Sequence, residues 1–148
     1  MKKNGGVDLI ELIIVMAILA IIAIIAIPNV AQQWMRDREA AAVNSLRDIH
    51  TAQIAFRDAN EGKYAATFDE LATVASSFGD KHWPGVKRGY KFSLSGGGDN
   101  FSAIAEPVTP GESGRYYYYV DRSGVVRYDS ALSVDARSNP VEPMPKVN

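Results

Sequence analysis

Apolar residues are concentrated near one end of this 148-residue chain. From Leu12 to Ile27, sixteen consecutive positions are Leu, Ile, Val, Met or Ala, and Leu9 and Ile10 extend the run upstream across a single charge, Glu11. Leu9 to Ile27 is nineteen residues, close to the roughly 20 that a helix needs to span a bilayer. The run is apolar around its whole circumference, the pattern of a helix surrounded by lipid or by other helices. Asn29 to Asn60 reads differently. It has no Gly or Pro for thirty-two residues and is rich in Ala, Arg and Gln, all good helix formers. Val43, Leu46, Ile49, Gln53 and Phe56, with Ala42 and Ala52 beside them, make one narrow stripe at helical spacing. Asn60-Glu61-Gly62 marks the stop, with Gly62 as the expected cap. A continuous helix from Val7 to Asn60 would run about 80 Å. A kink is expected at Pro28, which lacks a donor and clashes one turn back.

Beyond Gly62 the periodicity shortens. Thr67 and Glu70 have the spacing of a capping box, opening a short helix to about Ala75. Ser76 to Gly89 reads as loop, with a turn at Pro84-Gly85. Tyr90–Leu94, Phe101–Ala105, Arg115–Val120 and Val125–Tyr128 alternate as strands, separated by Gly96–Asn100, by Pro107–Gly114 and by Asp121–Gly124. Successive hairpin signals predict an antiparallel meander of about four strands, one face lying on the Val43–Phe56 stripe. The expected fold is therefore α+β: a long N-terminal helix, apolar and protruding in its first half and amphipathic in its second, packed on that sheet. Residues 131–148, with Pro140, Pro143 and Pro145, read as an extended or mobile tail.

Composition removes several chemistries. There is no Cys, so disulfides, thiolate metal sites and cysteine nucleophiles are excluded. The two His, His50 and His82, are far apart in sequence. No general acid/base pair, nucleophile elbow or metal spacing emerges, so no catalytic residue, cofactor or metal is expected. Gly96-Gly97-Gly98 lacks the Gly-Lys-Ser/Thr of a phosphate loop and reads as a hairpin turn. Tyr116 to Tyr119 reads as a strand whose alternate members pack inward, leaving an outward pair as a candidate interaction surface. Asp121, Ser123, Asp129 and Asp135 hold oxygens suited to calcium, but not at EF-hand spacing.

Glu11 is the residue that changes the picture. A carboxylate within a membrane segment costs about 2.5–3.5 kcal/mol on insertion scales. A signal peptide would have a shorter apolar core and a small-residue cleavage site; here the run passes straight into Pro28-Asn29-Val30. A plain anchor, with Lys2 and Lys3 keeping the N-terminus cytoplasmic, would be better served by Leu. Between Val7 and Met35 there is no Lys, Arg or His to pair with the acid. A cut just before Val7 would supply a free α-amine instead.

Gly6-Val7-Asp8-Leu9-Ile10-Glu11-Leu12 followed by Ile13-Ile14-Val15-Met16-Ala17 resembles the N-terminal signature of type IV pilins and pseudopilins. That family has a short basic leader ending in Gly, is cut after it, carries Glu as the fifth mature residue and has a proline at the twenty-second. Gly6, Glu11 and Pro28 agree with it in register. Val7, Asp8 and Ala20 depart from the usual Phe, the frequent Thr and the common mid-span Gly. The resemblance implies cleavage between Gly6 and Val7 by a prepilin peptidase, N-methylation of Val7, and a pairing of the Val7 amine with Glu11 that sets subunit register. It also implies a division into a leader (1–6), a membrane and filament-core helix (7–30), a globular domain (31–130) and the tail (131–148).

On this reading the protein is a structural subunit. It waits in the inner membrane as a single-pass protein and is polymerised by membrane-bound assembly machinery into a homo-oligomeric type IV pilus, extracellular or periplasmic. A pseudopilin of a type II secretion system is the nearest alternative. A membrane-anchored periplasmic module that captures a ligand such as DNA is a further one. Without Lys2 and Lys3 the mature chain has 14 basic against 17 acidic residues, a charge of −3, which disfavours general nucleic-acid binding.

Overall fold

A computed structural model describes residues 6–78, 83 and 85–141, without the side chains of 26–29 and 77. Most of the expected leader, including Lys2 and Lys3, lies outside the described residues, as do His82, Pro84, Pro143, Pro145 and the side chain of Pro28. The fold is α+β, a long N-terminal helix followed by an antiparallel sheet. The chain divides into two units, residues 1–34 and 35–148.

Helix α1 covers Leu9–Ala59. It is helical through position 28, so Pro28 is taken up within the helix and does not end it. The helix stops where Asn60-Glu61-Gly62 predicts, with one correction to the cap. Glu61, at φ 55°, is the first left-handed residue and Gly62, at φ 82°, the second. The Gly62 N–H donates to the Arg57 carbonyl at 2.9 Å, a Schellman closure with Glu61 in the place glycine usually takes.

In the second unit, the stripe on α1 forms the floor of the core. Ala42, Val43, Leu46, Ile49 and Ala52 are buried against Phe92, Ala103, Ala105, Tyr118 and Val120. Gln53 is fully buried on the same stripe. Its Oε1 accepts the Ala65 N–H at 2.9 Å and its Nε2 donates to the Ala65 carbonyl at 3.0 Å. That satisfies both ends of a buried amide and ties the chain beyond the helix back onto it. Helix α2, Phe68–Ala72, follows. Thr67 Oγ1 accepts the Glu70 N–H at 3.2 Å. The reciprocal bond differs from the expected box: the Glu70 carboxylate takes the Ala66 N–H at 2.7 Å.

The sheet has strands β1 Val86–Lys87, β2 Tyr90–Gly97, β3 Asn100–Pro107, β4 Tyr117–Asp121, β5 Arg127–Asp129 and β6 Asn139–Pro140, hydrogen-bonded in that order and all antiparallel. The four long-pattern strands are those expected; two short edges are added. β1 is joined to β2 through Arg88 and Gly89, both at positive φ, as a type I′ turn requires. β6 lies in the expected tail, and Val134 and Val141 there are buried, so the described part of the tail is built into the fold. Gly98-Asp99 closes the β2–β3 hairpin, and Gly98 bridges to Tyr64.

Candidate functional site

Gly6, Val7 and Asp8 precede the helix, and Glu11 lies in its first turn. The Asp8 carbonyl accepts the Leu12 N–H at 3.0 Å, starting the helical ladder. All four residues are exposed. A Cβ built on Gly6 meets nothing within 4 Å, and its φ is not in the left-handed region. Within the chain, then, neither space nor backbone geometry asks for glycine at position 6. The Glu11 carboxylate makes no hydrogen bond or ion pair among the described residues. As the chain stands, the nitrogen of Val7 is a peptide nitrogen and offers Glu11 no charge. A cut after Gly6 would convert it to an amine four residues upstream of the carboxylate, just outside the helix whose first turn holds Glu11.

The surrounding surface is wholly apolar. Fourteen large apolar side chains between Val7 and Ile25 are 47–75% exposed. The helix has a window of mean hydropathy 3.2, none of it buried by the rest of the chain. By length and composition it can cross a membrane. At roughly 2 kcal/mol for each such side chain fully covered, covering the set is worth on the order of 20 kcal/mol. This exceeds the roughly 5–15 kcal/mol by which a globular domain is stable.

The second unit holds charges of a different kind. Glu39, buried on α1, takes the backbone N–H of Arg115 at 2.8 Å and its guanidinium at 3.2 and 3.1 Å. The side-chain bond to Glu39 raises the Arg115 pKa. Beside it, Tyr90 donates its hydroxyl to the Tyr116 carbonyl at 3.0 Å. Burial, and then the nearby Tyr118, push the Tyr90 hydroxyl up. Burial followed by the Glu39 charge does the same to Tyr118. These groups fasten β4 to the helix.

Of the tyrosine run, Tyr118 is buried and Tyr116 packs edge-on against Tyr128 at 5.2 Å. Tyr117 and Tyr119 occupy the other face and stay half-exposed. The oxygens considered for calcium serve their own turns. Asp121 Oδ1 accepts the Ser123 N–H at 2.8 Å, Asp129 Oδ1 the Ala131 N–H at 3.2 Å and Asp135 Oδ1 the Arg137 N–H at 2.7 Å. Among the described residues no group of three His, Cys, Asp or Glu is placed to hold a metal. His50 is half-buried under Gly124, where a Cβ would come within 2.9 Å of its ring.

The Glu39–Arg115 pair was not anticipated from sequence, although Glu39 falls three and four positions before Ala42 and Val43, on the phase of the apolar stripe. Compared with known proteins, the chain matches no family model, no curated protein and no solved structure.

Proposed function

We propose that this chain is a pilin-like structural subunit, cut after Gly6, held in the inner membrane by α1 and polymerised through that helix into a filament. The observation that carries the reading is that α1 is apolar and exposed from Leu9 to Ile25, with a lone carboxylate, Glu11, in its first turn. Lipid covers such a surface while the subunit waits, and the helices of neighbouring subunits cover it in the filament. Lipid alone leaves Glu11 unexplained, because a plain anchor gains from losing it. A subunit interface gives it a role. The cut supplies a cation at Val7, and staggers that leave either charge unmet in an apolar core are penalised, a register function for which buried charges are best attested. The resemblance at Gly6, Glu11 and Pro28 supports the same reading, as does the absence of a structural need for glycine at position 6.

The test is the mass of the protein recovered from membranes and from filaments sheared off the cell surface. The expected species begins at Val7 and carries one methyl group. A chain that begins near Gln32, or that never appears in sheared material, contradicts the proposal.

A further inference from the structure

The face of the sheet turned away from α1 carries a recess that the filament reading does not use. Ser95, Ser102 and Asp121 are aligned across β2, β3 and β4 in a single row of the ladder. Tyr119 stands two residues from Asp121 on the same face, and Asn100 two residues from Ser102. With Arg122 these residues line a depression of about 250 Å³, room for a single sugar ring. The side chains of Ser95, Asn100, Ser102 and Arg122 make no hydrogen bond to another described residue, and none belongs to the buried core. Asp121 is held in place by its own turn: Oδ1 takes the Ser123 N–H and hydroxyl. Among the described residues its Oδ2 receives only the Tyr119 hydroxyl, at 3.5 Å, and so keeps acceptor capacity.

We propose that this recess binds a saccharide, with the Tyr119 ring as the stacking wall and Asp121, Arg122, Asn100 and the two serine hydroxyls as partners for sugar hydroxyls. The chemistry selects the class. One carboxylate and one guanidinium balance, so no strongly charged ligand is favoured. The lining holds a single exposed aromatic wall where a base would call for two, and it lacks the apolar depth a lipid chain requires. A sugar presents apolar C–H bonds on one face and hydroxyls at its edge, and amphipathic tyrosine beside fixed donors and acceptors complements both. The site is formed by sheet residues of the single chain.

The experiment is an NMR titration of the full chain in a sugar-free detergent with the methyl glycosides of glucose, galactose, mannose and N-acetylglucosamine. At least one of them shifts the resonances of Ser95, Ser102, Tyr119, Asp121 and Arg122. Arg122→Ala, in an exposed turn, weakens that binding about tenfold, the worth of a hydrogen bond to a charged group. Tyr117→Ala, on the same face but outside the recess, leaves it unchanged. The proposal is overturned if no glycoside shifts these resonances, if the shifts fall elsewhere, or if Arg122→Ala binds as the parent does.

Discussion

Glu39 and Arg115, 76 positions apart, are joined by three hydrogen bonds, two of them a fork between guanidinium and carboxylate. The carboxylate is buried and the guanidinium side chain is 39% exposed. The pair therefore fixes where the chain entering β4 meets α1, more than it adds net energy. Arg115→Ala should destabilise the fold by about 2 kcal/mol, because it leaves a buried carboxylate with only a backbone donor. Arg115→Lys should recover part of this, since an ammonium cannot reproduce the fork. Urea unfolding of the parent and both variants measures the difference, and equal stability of all three would refute the role assigned to the pair.

Residues 35–148 should fold without the span. This unit contains the buried stripe, the sheet and the Gln53–Ala65 clasp. A fragment starting at Met35 should be soluble and unfold cooperatively in urea. Aggregation, or a broad transition, would show that the first unit contributes to the core.

Alkaline pH should weaken that fragment. Tyr90 and Tyr118 have hydroxyl pKa values raised above the ordinary value of 10 by burial. Above pH 10 the unfolded chain loses these protons while the folded chain retains them, so folding stability falls as pH rises. Between pH 9 and 11 each tyrosine should cost about 1.4 kcal/mol in all, the slope steepening as pH passes 10. Tyr90→Phe should remove about half of the combined slope. Unfolding free energies measured between pH 9 and 11 test this, and a flat profile contradicts it.

Glu61→Gly should stabilise the protein, by about 0.5–1 kcal/mol. Glu61 sits at φ 55° in the helix closure, where a side chain is strained and glycine is not. Thermal unfolding reads the effect directly. A loss of stability would mean that the Glu61 side chain contributes more than its backbone costs.

What was legible in the sequence was local. The helix was announced by thirty-two residues without Gly or Pro and by the Val43–Phe56 phase, and its end by Asn60-Glu61-Gly62. The β2–β3 hairpin followed from alternation on both sides of a glycine run. The edges were harder. β1 has only two residues and turns through Arg88, a residue type that gives no left-handed signal. β6 contains Pro140, which argues against a strand except at an edge, the position it takes. The sequence puts Gln53 on the apolar stripe, but its clasp on Ala65 depends on how the chain returns after the helix. The candidate assembly site rests on a motif within one turn of helix. The partner proposed for it, the helix of another subunit, is not part of the chain.

The central claim is that the Glu11 carboxylate directs assembly through its charge. Glu11→Gln keeps shape and hydrogen-bonding capacity and removes only that charge. Cells carrying it would be fractionated, and the subunit measured by immunoblot in membranes and in sheared filaments. The account predicts membrane-inserted protein at or above the parent's level, because insertion is eased, with filaments lost or strongly reduced. Filament yield equal to the parent's would contradict it.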